Sequence, residues 1–169
     1  MLFRSPHNFI ASKTDTLHTN GSIHVKFSPV VTPGVSYYLK VTQRNHVTTW
    51  SANPVLLNSS TTYTFSDAAN KAFADNQAPT HTVPGDPGSN DGFGFAFYAG
   101  DISDGINLDQ CIQDGSVDAS DFIDLDPHIQ AGDGGYICSD ISGDGSVDAT
   151  DFLWLDPNVQ NGIGSAPPF

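Results

Sequence analysis

The run Asp114-Gly115-Ser116-Val117-Asp118-Ala119-Ser120-Asp121-Phe122 recurs thirty positions later as Asp144-Gly145-Ser146-Val147-Asp148-Ala149-Thr150-Asp151-Phe152, and Leu125-Asp126-Pro127 recurs as Leu155-Asp156-Pro157. A repeat this close requires two equivalent structural units, and whatever the chain folds into must house both. Upstream, Asp101-Ile102-Ser103 reappears as Asp140-Ile141-Ser142, but at an offset of thirty-nine, so the first copy carries an insertion of nine residues. Cys111 lies in that insertion and Cys138 just ahead of the second copy. A disulfide between them would pin the insertion against the neighbouring repeat. It would also suit an oxidising, extracellular setting, whereas the cysteine spacing matches no zinc motif.

In the second copy, oxygens fall at loop positions 1, 3, 5, 7, 9 and 12, as Asp140, Ser142, Asp144, the carbonyl of Ser146, Asp148 and Asp151. This is calcium-loop spacing. A large, hard cation takes 6–8 oxygens, and alternate positions of a curled loop point inward around it. Gly145 at position 6 permits the sharp turn, and Val147 at position 8 is expected to pack or pair with the neighbouring loop. Phe152-Leu153-Trp154-Leu155 then reads as an exiting helix buried on one face. Magnesium suits the pattern less, because it keeps its own waters and rarely uses all-protein cages.

Charge reinforces that reading. The chain has 169 residues, with 19 acids against six Lys and Arg and a formal charge of −13; every acid is Asp and there is no Glu. The basic residues Arg4, Lys13, Lys26, Lys40, Arg44 and Lys71 lie in the first 71 positions beside only Asp15 and Asp67, making that part +4, while positions 72–169 carry −17. An acidic segment of this kind repels itself unless cations bind it, and a merely solvated acidic surface would not explain the duplicated oxygen spacing. The balance also argues against nucleic acid and against an anionic membrane surface. No stretch approaches a membrane span, and Met1-Leu2-Phe3-Arg4 is too short to be a secretory signal.

With 38% hydrophobic residues the chain can build cores, and its first part reads as β. Ile23, Val25 and Phe27 alternate with polar residues, as do Val35, Tyr37, Leu39 and Val41, and Thr61–Phe65 is a further strand. Asn20-Gly21 and Pro33-Gly34 mark turns. Ser66 or Asp67 is placed to cap a short helix over 68–73. Residues 77–92, rich in Pro and Gly, read as a loop, and Phe93, Phe95 and Phe97 form a strand expected to close a sandwich. The expected fold is therefore mainly β: an antiparallel β-sandwich over 1–98, followed over 99–169 by a small α-containing module of two calcium loop–helix repeats and a Pro-containing tail.

With Asp rather than Glu at position 12, and only an exiting helix after each loop, residues 100–162 resemble the dockerin type of calcium repeat, more closely the paired repeats of secreted Bacteroidota-like surface proteins. That resemblance implies two calcium ions. The second site comprises Asp140, Ser142, Asp144, Ser146, Asp148 and Asp151; the first comprises Asp101, Ser103, Asp114, Ser116, Asp118 and Asp121. The insertion departs from the pattern, so Asp104 or Asp109 could replace Asp101. Tyr37-Tyr38-Leu39-Lys40-Val41 followed by Arg44-Asn45-His46-Val47-Thr48-Thr49-Trp50-Ser51 looks like the prealbumin-like sandwich that precedes such repeats in those proteins. Those relatives begin with further strands, and the abrupt start here implies either a fragment or an open sheet edge.

No catalytic reading emerges: the six histidines are scattered, and no Gly-x-Ser-x-Gly turn accompanies the Ser, His and Asp residues. Trp50 and Trp154 are expected in cores, and Asn20 and Asn58 begin glycan-acceptor triplets. The favoured function is a non-catalytic, extracellular, calcium-stabilised subunit of a surface filament. In it, copies attract head to tail through their oppositely charged ends and join by strand donation from 1–12 or from Gly164–Phe169. The alternatives are a dockerin-like plug docking on a receptor domain, with Asp124 and Trp154 exposed for recognition, or an accessory C-terminal region of a larger secreted enzyme or adhesin.

Overall fold

The computed structural model describes residues 1–4, 8–18, 21–27, 29–80, 94–108 and 110–168. An N-terminal antiparallel β-sheet region is followed by a C-terminal region with two α-helices. The sheet is built on β3 (Val35–Gln43), which pairs with β1 (Leu2–Phe3), β4 (His46–Trp50) and β5 (Val55–Leu57), while β2 (Phe9–Ala11) pairs with β1 at the edge. The alternation read from Val35 to Val41 is thus a real strand, with Tyr37 buried. β4 is buried along almost its whole length although two of its residues are threonine. Its polar groups are satisfied locally: the Thr49 hydroxyl donates to the Val47 carbonyl at 3.1 Å, and the Thr42 and Thr48 hydroxyls meet at 3.3 Å.

Several expected strands are missing from the described residues, which form a five-stranded sheet and a separate two-stranded one. Residues 23–27 and 61–64 run unpaired. Ile23 and Val25 stay exposed because nothing among the described residues lies opposite them to bury the alternating face. Near Gly21 the chain does turn, with the His18 N–H donating to the Ser22 carbonyl at 2.9 Å, but the flanking runs do not pair; Asn20 lies outside the described residues. Helix formation after Phe65 reduces to two 3-10 turns, Ala69–Lys71 and Phe73–Asp75, and neither Ser66 nor Asp67 caps them. The Phe-rich segment gives β7 (Gly94–Ala96), which pairs with β6 (Ala78–Thr80) as a separate two-stranded sheet. Part of the expected loop over 77–92 is therefore strand, and residues 81–92 and Phe93 lie outside the described residues. Beyond β7, however, the chain does run along β4, where the Val47 N–H donates to the Tyr98 carbonyl at 2.7 Å and the Gly100 N–H to the Asn45 carbonyl at 2.8 Å.

That contact leads directly into the repeats. Helices α1 (Ala119–Ala131) and α2 (Ala149–Gln160) begin one residue after loop position 9, so the ends of both loops form the first helical turns. Asp118 and Asp148 are the N-caps, and each forms a reciprocal capping box with the Asp three residues on, Asp121 or Asp151. Duplication fills the core in matched pairs. Ile102 and Ile141 from position 2, Val117 and Val147 from position 8, and Leu125 and Leu155 from the helices are all buried, together with Ala99, Cys138 and Val47 of β4. Gly100, at φ +111°, is required here: a Cβ would stand 3.0 Å from both Leu155 Cδ1 and Val117 Cγ1.

The two loops do not pair with each other. The Val147 N–H donates to the Asp133 carbonyl at 2.8 Å and the Gly135 N–H to the Gly145 carbonyl at 2.9 Å, so the second loop pairs with the segment leaving α1. The Val117 N–H donates to the Ile163 carbonyl at 2.8 Å and the Ser165 N–H to the Gly115 carbonyl at 2.6 Å, so the first loop pairs with the tail leaving α2. Each loop is closed by the stretch of chain that leaves the opposite helix. Val147 does pack in the core, but its backbone partner is Asp133 and not the other loop. A Cβ on Gly134 would meet the Gly145 carbonyl oxygen at 2.7 Å, so this crossing admits only glycine.

Candidate metal centre

In the first loop Asp101 is fully buried, and neither of its carboxylate oxygens has a hydrogen-bond partner. Buried carboxylate oxygens are rarely left so. Burial first, then the charges of Asp121 and Asp114, push its carboxyl up to about 7; the backbone N–H groups of Gly115 and Asp114 pull it down without reaching ordinary hydrogen-bonding geometry. Asp121, also fully buried, is pushed up to about 6 by burial. Its Oδ1 accepts from the N–H groups of Ile102 at 2.7 Å and Ser103 at 2.9 Å, and its Oδ2 from the Asp118 N–H at 2.9 Å. Position 12 thereby reaches back across the loop to positions 2 and 3.

The second loop repeats this geometry. Asp151 Oδ1 accepts from the Ser142 N–H at 2.8 Å and Oδ2 from the Asp148 N–H at 2.9 Å. At position 5, Asp114 and Asp144 accept from the N–H of Ser116 and Ser146. At position 9, hydrogen bonds from Ser120 hold the Asp118 carboxyl below its ordinary range, and those from Thr150 do the same for Asp148. The loops differ at positions 2 and 1. The Ile102 N–H donates to Asp121, whereas that of Ile141 donates to the Ser139 carbonyl. Asp140, the counterpart of Asp101, accepts from the Gly143 N–H at 2.9 Å and the Gly145 N–H at 3.2 Å. The bare, buried carboxylate is thus in the loop that carries the insertion.

Of the candidates for position 1 of the first loop, Asp101 is the one buried without a hydrogen-bond partner among the described residues. Asp104 is half-buried, and its carboxylate is taken by the N–H groups of Ile106 and Asn107 and by the Asn107 amide, which lower its pKa; Asp109 lies outside the described residues. Among the described residues no group of three or more His, Cys, Asp or Glu gathers into a metal-holding cluster. Any ion here would rely on the mixed oxygen set, with Ser103 or Ser142 and the carbonyls of Ser116 or Ser146 beside the carboxylates. The fit rests on Asp101: two desolvated oxygens with no donor among the described residues, beside a second buried carboxylate, suit a cation or, in its absence, a proton.

Cys111 and Cys138 are joined by a disulfide that ties the insertion to the start of the second repeat. It closes a loop across a sequence separation of 27, so reduction should destabilise the fold by about 3 kcal/mol. Denaturant melts with and without reductant measure this, and coincident midpoints would show that the bridge constrains nothing.

Sequence reasoning did not find three polar side chains that brace the site: Arg44, Asn45 and Gln113. No local motif marks them, since their partners are backbone carbonyls distant in the chain. Trp154, expected in a core, is 59% exposed, with Leu153 at 68% beside it, whereas Trp50 is buried against Phe3. Asp124, whose exposure the docking-module alternative required, is buried. The helices meet instead through Phe122 and Phe152, whose rings lie edge to face at 5.6 Å. Asn58 is exposed after β5.

No family model matches the chain, and neither a curated protein nor a solved structure shows significant similarity to it.

Proposed function

We propose that the chain is a non-catalytic, extracellular structural protein: a calcium-stabilised subunit that assembles head to tail into a surface filament. The calcium part is carried by the bare, buried Asp101 carboxylate, in a loop whose oxygen spacing from Asp114 to Asp121 the second repeat shares. Calcium at each loop would supply the positive charge that the clustered carboxylates lack and tie helix to loop. The disulfide supports an oxidising location.

Head-to-tail assembly rests on the charge division. Arg4, Lys13 and Lys26 are exposed on the sheet region, and Asp114, Asp118, Asp144 and Asp148 lie on the repeats. Contacts between unlike patches propagate instead of closing into a dimer. Strand donation takes a narrower form than the sequence implied, because both expected donors are paired within the chain, β1–β2 with β3 and Gly164–Ser165 with the first loop. The outer edge of β2, with Phe9 exposed, is where a further strand would add.

Sedimentation of the purified chain at high concentration, with calcium and after chelation, tests the proposal. Polymers that shrink in chelator or at raised salt are expected. A chain that stays monomeric with calcium would sink the filament. It would favour a docking module, the reading to which the exposed Leu153 and Trp154 point, although the buried Asp124 removes one of the two recognition residues expected for it.

A further inference from the structure

Position 1 of both loops is held through its backbone carbonyl, in the second loop directly by the turn between β3 and β4 and in the first by Gln113 of the insertion, which also binds the carbonyl of His46 at the start of β4. Asn45, almost fully buried, donates its Nδ2 to the Asp140 carbonyl at 2.8 Å and, at 3.4 Å, to the carbonyl of Cys138. Its Oδ1 meets His46 Nδ1 at 2.8 Å, which fixes the amide's orientation. Arg44 adds a contact from its guanidinium to the same Asp140 carbonyl at 3.4 Å and lies over the Tyr136 ring at 4.0 Å. On the other side, Gln113 Nε2 donates to the Asp101 carbonyl at 2.8 Å and to the His46 carbonyl at 2.6 Å, so it ties the first loop to the turn. The Gly100 N–H, immediately before Asp101, donates to the Asn45 carbonyl at 2.8 Å.

We infer that the β3–β4 turn is a shared positioning element for both loops, with Asn45 orienting the second and Gln113 the first, so that filling one loop raises the affinity of the other. This rests on the calcium reading of the loops. Groups that orient ligands commonly change metal affinity 10–100-fold when removed, without touching the ion. Both loops here share one rigid anchor, buried against Val47 in the common core. Fixing Asp140 fixes Asn45, whose backbone and neighbour His46 receive the first loop. That route is the physical basis of the coupling, and by linkage it acts equally in both directions.

Calcium titration by calorimetry tests it on the full chain, with the amide signals of Gly115 and Gly145, at position 6 of each loop, reporting the loops separately. In the wild-type chain the two signals should move over overlapping calcium ranges. Asn45→Asp, which keeps the shape but removes the Nδ2 donors, should weaken the second loop about 10–100-fold and separate the two transitions. Gln113→Glu should weaken the first loop by a similar factor, and it carries the test alone if Asn45→Asp does not fold. Melting in chelator provides the control, because a merely structural residue would lower that melt while leaving calcium affinity unchanged in the folded chain. Wild-type affinities in the folded variants would overturn the inference alone. A wild-type chain that takes up no calcium would overturn the calcium reading and this inference with it.

Discussion

Chelation of calcium is expected to lower the melting temperature of the wild-type chain by about 15–30 °C. A loop held at a thousandfold its Kd contributes about 4 kcal/mol, so two filled loops contribute about 8 kcal/mol, and a chain of this size loses about 2–4 °C per kcal/mol. The effect should reach beyond the repeats, since Val47 of β4 shares its core with both loops and both helices. Asp151→Ala locates the source. Asp151 is fully buried and bridges positions 3 and 9 of its loop, so its loss should reduce calcium affinity at the second loop at least about a hundredfold. That exceeds what removing a group that only orients a ligand usually costs. Asp156→Ala is the control, because that carboxylate lies outside the loop and accepts from Gln160 at 2.5 Å. Equal effects of the two substitutions on affinity, or an unchanged melt in chelator, would refute the assignment of the loops.

The parts of the molecule legible in the sequence were those fixed by local chemistry. Alternation placed β3, and the repeat placed a helix after each loop, although both helices start three residues earlier than the expected Phe122 and Phe152, because Asp118 and Asp148 act as N-caps. The Cys111–Cys138 bridge agrees with the position of the insertion. What failed depended on distant partners. Ile23, Val25 and Phe27 have the pattern of a strand but no opposing sheet among the described residues, and β7 found Ala78–Thr80 instead of the main sheet. The tail at Gly164 and Ser165 looked free, yet it completes the first loop, because a Gly-rich segment after α2 can lie against Gly115 and Ser116. The braces from Asn45 and Gln113 end on carbonyls 95 and 12 residues away, and side-chain amides bonded to backbone leave no pattern to read.

Asp101→Asn should change stability in opposite directions with and without calcium. In the metal-free fold the Asp101 carboxyl holds its proton up to about pH 7, against an ordinary value of 3.8, through burial and the nearby charges of Asp121 and Asp114. Folding therefore takes up a proton between those values. The contribution of this group to stability is complete below about pH 4 and is lost as pH rises through 7, a change of about 2–4 kcal/mol. The amide is isosteric and never charged, so in chelator at pH 8 Asp101→Asn should be more stable than wild type by that amount, while at pH 4 the two should melt together. With calcium at pH 8 the order should reverse, because the ion stabilises the charged carboxylate and the amide is a poorer ligand. Wild-type calcium affinity at the first loop should fall as pH drops from 7 towards 5, where protons compete for the same oxygens. Denaturant melts of both proteins at the two pH values, with calcium and with chelator, measure all four terms. A wild-type chain that outlasts Asp101→Asn in chelator at pH 8 would mean that Asp101 is no burden to the metal-free fold, and the principal physical argument for a cation there would be lost.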